Sequence, residues 1–337
     1  MANVKHLLPQ VPQYFKTNLH THTTISDGKL SPAEAKEAYK AAGYRVLCLT
    51  DHNVIVNHSD MNDPDFLFLT GTEINIDEEN SNSYTKKTYH LNLISKRPDN
   101  LWSPGRPQHV KHPGAQQYVE TMHFEGMDYS YTPDGVNAVI AAANEHDYFV
   151  MYNHPTWSCQ AYPDYAPVKG LWGMEVRNSE CNELGNNENN FRVYKDMLNL
   201  GNRLYPTGTD DLHSPRALGK SWIMVGATEL SYESVINALE KGDLYMSCGP
   251  QIHSLYAEGS TLKLTCSGAQ KIALETYGRF ARCVFAGKDA LLEGAEFDLT
   301  PFLEKCADDP AAYIYLTVTA PDGSYAVTRA YSLCELA

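Results

Sequence analysis

The stretch "NLHTHTTISDG" sets His20 and His22 one residue apart, with Asp27 in the loop that follows. Hard and borderline divalent metals take imidazole nitrogens and carboxylate oxygens held in converging geometry. Side chains on an extended strand repeat every two residues, so His20 and His22 project to one side and can reach one ion. An H-x-H pair alone is common and is ordinarily no more than a pair of surface polar groups. Further along, "LTDHN" supplies His52, "GTEIN" Glu73, "YHLNLIS" His90, "NHP" His154, and "GTDDLHS" both Asp211 and His213. Taken singly, each has an ordinary use: His90 as a hydrogen-bonded strand histidine, Glu73 as a helix cap or a lysine partner. Taken together the ordinary uses fail. Strand-like runs in order each deliver ligand-type residues near their ends. Burying so many imidazoles and carboxylates without a cation would cost several kcal/mol per unpaired charge. The pattern therefore reads as a metal site.

The elements that must position these residues are legible as short apolar runs ending in polar residues: "YFKTNLHTH", "RVLCLTDHN", "FLFLTGTEIN", "TYHLNLIS", "YFVMYNHP", "LWGMEVRN" and "RLYPTGTDDLH". Helices are signalled between several of them. "SPAEAKEAYKAAG" opens with Ser31 as N-cap, Pro32 in the first turn and Glu34 completing a capping box, and Gly43 stops it. "TPDGVNAVIAAANEH" opens in the same way at Thr132-Pro133, "NNFRVYKDMLNLG" ends at Gly201, and "SYESVINALEKG" runs from Ser231 to Gly242. Strands alternating with helices imply parallel βα units, and seven such strands predict an α/β fold related to the eight-fold barrel. In such a fold active residues gather where the strands end, because a rigid sheet fixes those ends and the following loops converge. The expected division is a barrel domain over residues 1–248 and a small antiparallel β-sandwich domain over 249–337. The latter rests on alternating runs such as "AAYIYLTVTAPDGSYAVTRAYSL" with tight turns. Residues 96–131, rich in Pro, Gly and His, read as an excursion over the barrel mouth and a candidate lid. His109, His112 and His123 within it are expected to be solvated or lid residues.

Composition narrows the function. The chain of 337 residues is 43% hydrophobic and 20% charged, enough for a sizeable core. A net charge of -14 argues against a nucleic-acid duplex as partner, since that needs clustered Lys and Arg. No apolar run approaches the roughly 18 residues of a membrane span, and no signal peptide is recognisable. The eight cysteines form no C-x-x-C pair and read as reduced thiols of a cytoplasmic protein.

The ordered pieces "LHTHTTISDG", "LTDHN", "GTEIN", "YHLNLIS", "NHP" and "GTDDLHS", over residues 15–220, resemble the polymerase and histidinol phosphatase (PHP) family of metallohydrolases. The resemblance implies a distorted seven-stranded, TIM-like barrel and two or three divalent ions (Mn, Fe or Zn). It implies His20, His22, Glu73 and Asp211 on one ion. Glu73 would bridge to a second ion held also by His90 and His154, and Asp27, His52 and His213 would hold a third. Some family members carry His where Asp27 stands. In such a site a water shared by two metals loses a proton near neutral pH and becomes the nucleophile. Glu73, Asp211 and His213 are the residues expected to carry the chemistry. No G-x-S-x-G elbow, Walker loop or dinucleotide fingerprint suggests another mechanism.

The expected activity is hydrolysis of a small organic phosphate ester, most simply a monoester. Arg177 in "MEVRNSE" and Arg216 in "HSPRALGK" are candidates to grip its phosphate oxygens, each with a surface ion pair as its ordinary use. Asp51 is a candidate to orient a ligand imidazole, or to cap the loop backbone. Trp102, Trp157 and Trp172 are expected in the core rather than against a ring. A carbamate, ester or amide hydrolase is the alternative, favoured by an apolar, arginine-free pocket. A non-catalytic metal-binding scaffold and a DNA-proofreading role are weaker readings. The C-terminal domain either packs on the barrel or mediates self-association.

Overall fold

The first helix shows how local chemistry sets the frame. Ser31 accepts from the backbone N–H of Glu34, and the Glu34 carboxylate takes the Ser31 N–H in return, closing a capping box ahead of α1 (Pro32–Ala41). Such a cap contributes about 1 kcal/mol. Ala35 and Tyr39 are the buried face of the helix. The structure is a computed structural model that describes residues 4–11, 13–79, 82–306 and 308–336. In chain order it contains β1 (Val4–His6), β2 (Gln13–Asn18), α1, β3 (Val46–Leu49), β4 (Leu67–Asp77), β5 (Thr88–Ser95), β6 (Trp102–Ser103) and β7 (His123–Phe124). There follow α2 (Pro133–Glu145), β8 (Tyr148–Tyr152), α3 (Tyr162–Tyr165), β9 (Gly173–Asn178), α4 (Ser179–Glu183), α5 (Phe191–Asn199), β10 (Tyr205–Thr209), β11 (Trp222–Ala227), α6 (Tyr232–Lys241) and β12 (Leu244–Ser247). The C-terminal part adds β13 (Ile252–Glu258), β14 (Thr261–Ala269), β15 (Lys271–Thr276), β16 (Ala281–Phe285), β17 (Leu292–Asp298), α7 (Thr300–Cys306), β18 (Tyr313–Thr319), β19 (Tyr325–Thr328) and β20 (Tyr331–Ser332).

The fold is mixed α/β. Seven strands that precede the candidate ligands lie side by side in the order β10-β9-β8-β5-β4-β3-β2. β2, β3 and β4 run parallel, as do β8, β9 and β10. β5 departs from the expected all-parallel pattern and is antiparallel to both β4 and β8. The reason is its connection: the span 78–87 is too short for a parallel crossover, which needs a dozen residues or more. The outer strands of this set meet just beyond their ends. Asp211 N–H donates to the His20 carbonyl at 3.0 Å and His22 N–H to the Leu212 carbonyl at 3.1 Å. Residues 20–22 and 211–212 therefore converge at one end of the strands, where the other candidate ligands also arrive.

Beyond β2 the same hydrogen-bonded sheet continues through β11, β12, β19, β18, β15 and β16, so sheet pairing runs across residue 248. A second sheet has the order β1-β13-β14-β17, which puts the first described strand of the chain beside C-terminal ones. Apolar side chains from both C-terminal sheets, among them Leu255, Leu264, Leu274 and Leu316, share one core. This region was expected to be all β, yet it includes α7. Its start is fixed by Asp298 accepting the Thr300 N–H at 2.9 Å, and Phe302 anchors it in the core.

The excursion is held by its own apolar residues: Trp102, Val110, Ala115 and Met122 are buried in the main core. It presses on the loop that carries Asp27. A Cβ added at Gly114 would lie 2.5 Å from the Thr24 carbonyl oxygen, so only glycine permits this approach. Among the described residues no helix is long and apolar enough to cross a membrane. The eight cysteines are all free.

Candidate metal centre

All nine candidate ligands come together at the convergent end of the seven strands. Ligand atoms fall into four overlapping groups: His22, Asp27, His52 and His213; His20, His22 and Glu73; His20, His154 and Asp211; and Glu73, His90 and His154. Each group follows from local geometry. His20 and His22 lie just past β2 and Glu73 is within β4, opposite an isolated bridge to His52. His90 stands in β5, His154 just past β8, and Asp211 and His213 just past β10. His154 and Asp211 hold positive φ, 23° and 49°. Backbone of this kind is uncommon for residues other than glycine and concentrates at functional sites.

Glu73 is the hub. Its Oε1 lies 3.1 Å from His20 Nε2, 3.1 Å from His90 Nδ1 and 3.3 Å from His154 Nε2, and its Oε2 lies 3.3 Å from His22 Nε2 and 3.2 Å from His52 Nδ1. Asp211 Oδ1 lies 3.1 Å from His20 Nε2, 3.2 Å from His22 Nε2 and 3.4 Å from His213 Nδ1. Asp27 meets His22, His52 and His213 at 3.5, 3.6 and 3.5 Å.

These distances test whether the side chains fit metal ions. Two ligands each about 2.0–2.2 Å from a shared ion lie about 2.8–3.6 Å apart in octahedral or tetrahedral geometry. The observed spacings fall in or near that range. Hydrogen bonding alone does not account for them. His22 Nε2 faces His20 Nε2 at 3.1 Å as well as both carboxylates, and one proton cannot serve three acceptors. His20 is held from the other side. Its Nδ1 lies 2.7 Å from Glu175 Oε1, so the Nδ1–H donates there and Nε2 is turned to Glu73 and Asp211, a position that a proton or a divalent cation can occupy. Asp211 Oδ1 is buried without a hydrogen-bond partner, which a metal would also supply. The residues therefore fit divalent ions.

The electrostatics agree. Burial opposes protonation of His22, yet Asp211 and Glu73 outweigh it and push its pKa up to about 10. Burial likewise opposes His154, and Glu73 and Asp211 push it up to about 9. Burial works against ionising Glu73, but His90, His20 and His154 hold its carboxyl well below the usual range. Asp211 is lowered in the same way, chiefly by His20 and His213 against the cost of burial. His52 is different: burial and the neighbouring His22 pull it down to about 3, which leaves a neutral ring. The side chains alone thus gather protons where a divalent ion would otherwise sit.

Glu175 carries a role that the sequence did not disclose. It is fully buried in β9; its Oε1 takes His20 Nδ1 and Thr209 Oγ1, and its Oε2 takes the His154 N–H at 2.9 Å and Asn178 Nδ2 at 2.9 Å. It fixes the tautomer of His20 and the backbone of His154 together. The only signal was a carboxylate inside the apolar run "GMEVRN". We expect Glu175→Gln to weaken metal affinity by roughly 10- to 100-fold while the fold persists; metal titration followed by calorimetry reads this, and unchanged affinity would contradict it.

Three residues for which two uses were open are placed as follows. Asp51 takes the second of its two, the cap of the loop backbone. Its carboxylate accepts from Thr23 N–H, Thr23 Oγ1, Ser26 N–H and Ser26 Oγ at 2.7–3.0 Å, tying down the loop that presents Asp27. Arg177 Nη1 donates to Asn189 Oδ1 at 2.9 Å, and Arg216 Nη2 donates to Glu180 Oε1 at 2.6 Å. Neither arginine lines the cavity above the cluster. That cavity has a volume of about 320 Å³, with Glu73, His90 and His154 in its lining beside Trp157, Cys181 and Leu184. Trp102 and Trp172 are core residues as expected, whereas Trp157 is 41% exposed. The His112 ring of the excursion stacks near His52, with centroids 5.7 Å apart.

Comparison with family models finds no match, and comparison with curated proteins finds none. Among solved structures, a two-domain protein from Bacteroides vulgatus containing a predicted PHP-like metal-dependent phosphoesterase is similar at 17% identity, over 98% of each chain, with a TM-score of 0.43. An amidohydrolase from Chromobacterium violaceum, with bound sulfate and no metal, is similar at 14% identity over 59% of this chain and 88% of its own, with a TM-score of 0.36. A lesion-specific endonuclease from Pyrococcus furiosus is similar at 12% identity over 67% of this chain and 56% of its own, with a TM-score of 0.37. The three names differ in substrate and all three scores are low, so chemistry must be read from the side chains. The ordered motifs of the chain resemble those of the PHP-like metal-dependent phosphoesterases, and a protein of that description is among the similar structures.

Proposed function

We propose that the chain is a metal-dependent hydrolase of small organic phosphate esters, with its site in the cavity above the nine-residue cluster. The observation that carries this reading is the spacing of imidazole and carboxylate atoms around Glu73 and Asp211, which matches ligands shared between ions. His20, His22, Glu73 and Asp211 would hold one ion, Glu73, His90 and His154 a second, and Asp27, His52 and His213 a third. Mn, Fe and Zn all suit this mixed nitrogen and oxygen set. Bound divalent ions supply a nucleophilic water at neutral pH and neutralise charge on the leaving oxygen.

The protein's part is to orient and exclude. Glu73 presents both oxygens to different imidazoles, which lets one carboxylate serve two positions. Asn153 Nδ2 donates to Glu73 Oε1 at 2.7 Å, and Asn178 Nδ2 to Asp211 Oδ2 at 3.0 Å, so both carboxylates are locked in rotation. Asp27 and His213 stand on the solvent side, with side chains 39% and 30% exposed. On the same reading, the seven strands form the distorted barrel of domain 1–248 and the two C-terminal sheets form a sandwich in domain 249–337.

A second reading has a specific observation in its favour. The cavity lining is arginine-free and partly apolar, as expected of a carbamate, ester or amide hydrolase. One experiment separates the two: the chain reconstituted with Mn²⁺, Fe²⁺ or Zn²⁺ and assayed on matched phosphate esters, carboxylate esters, amides and carbamates. Phosphate hydrolysis that disappears on chelation and returns with metal supports the first reading. Turnover confined to acyl substrates supports the second, and a flat response with metals verified sinks both.

A further inference from the structure

Resting on that hydrolase reading, we infer that the substrate carries an aromatic ring, and that Trp157 with Leu184 forms the subsite that receives it. Small-molecule pockets are lined mostly by hydrophobic and aromatic side chains beside a few placed polar groups. Here Trp157 is 41% and Leu184 54% exposed, and both line the same cavity as the metal cluster. The indole borders the Glu73–His90–His154 group: its centroid lies 5.0 Å from His154, edge-on at 85°, and 5.4 Å from His90.

The loop holding Trp157 is built to keep it there. The buried Glu188 carboxylate accepts the Thr156 N–H at 2.9 Å, the Trp157 N–H at 2.8 Å and Asn190 Nδ2 at 2.8 Å. Cys159 closes the turn at a φ of 57°. A side chain that merely failed to find the core would not need a buried carboxylate to fix its backbone. No arginine or lysine lines the cavity; away from the nine candidate ligands its wall is Trp157, Cys181 and Leu184 together with Glu180, whose carboxylate is paired with Arg216. Stacking on an indole is the chemistry this wall offers, and a volume near 320 Å³ admits a small molecule.

The test is binding, read apart from turnover. Phenylphosphonate and methylphosphonate are titrated calorimetrically into the full chain reconstituted with Mn²⁺, and benzoate against acetate repeats the comparison for an acyl group. The phenyl member of a pair should bind about tenfold more tightly. Trp157→Ala should reduce that ratio to within about threefold, and Trp157→Phe should keep most of it. A ratio near one in the unchanged chain overturns the ring subsite, as does a ratio that Trp157→Ala leaves intact. Equal kcat/KM for phenyl and methyl phosphate sinks the ring subsite alone. A preserved binding ratio without turnover of any ester supports the subsite and sinks the hydrolase reading alone.

Discussion

Asp211→Asn is expected to lower hydrolysis by roughly a thousandfold or more, since the ions it helps hold contribute several kcal/mol at about 1.36 kcal/mol per tenfold. The substitution conserves shape, so lost packing does not enter. Asp211 Oδ1 meets the Nε2 atoms of His20 and His22 at 3.1 and 3.2 Å, and Oδ2 receives the Asn178 amide at 3.0 Å. An asparagine amide can satisfy only one side. With its oxygen toward Asn178, an N–H₂ group faces the ion position and cannot ligate. Turned over, it sets two donors against each other in a buried site, which costs about 1–3 kcal/mol. Turnover on the best ester and metal content by emission spectroscopy should fall together. Near wild-type turnover with metals verified would contradict the ligand role.

Metal affinity is expected to rise with pH by about tenfold to a hundredfold per unit between pH 7 and 9, as one or two protons are displaced per ion bound. With side chains alone, His22 and His154 titrate near 10 and 9 because the carboxylates outweigh burial. Both are protonated at neutral pH, and both must give up that proton to bind. The sign for stability is opposite. A histidine whose folded-state pKa is raised contributes stability that is fully present below about 6.5 and lost as pH climbs through its folded value. Metal-free protein should therefore lose thermal stability from pH 7 to 10, while metal-loaded protein should not. Parallel melting curves for the two forms across that window would contradict this.

Much of the framework could be read from the chain because it is local. The capping box at Ser31 and Glu34, the Thr132 cap of α2 and the Ser231 cap of α6 each depend on residues within three positions. The order of strand ends could be read because each apolar run carries its polar residues directly behind it. The direction of β5 was not legible from its own residues, since it depends on the shortness of the connection before it rather than on the strand. Glu175 was obscured for a related reason. A lone carboxylate in "GMEVRN" gains meaning only when β9 lies beside His20 and His154, residues far away in sequence. The arginines could be read two ways, since each follows a strand or ligand closely; Arg177 turns to Asn189 and Arg216 to Glu180. Proximity in sequence fixed their neighbourhood but not which way a long side chain extends.

The central claim is that the nine side chains from His20 to His213 hold divalent ions. Anomalous scattering from crystals of the chain reconstituted with Mn²⁺ or Zn²⁺ and soaked in phosphate tests it most directly. The account predicts two or three anomalous peaks enclosed by these residues, one of them beside Glu73 and Asp211, with phosphate oxygens against the metals and not against Arg177. Full hydrolytic activity in crystals whose anomalous map is empty among the nine residues would contradict it.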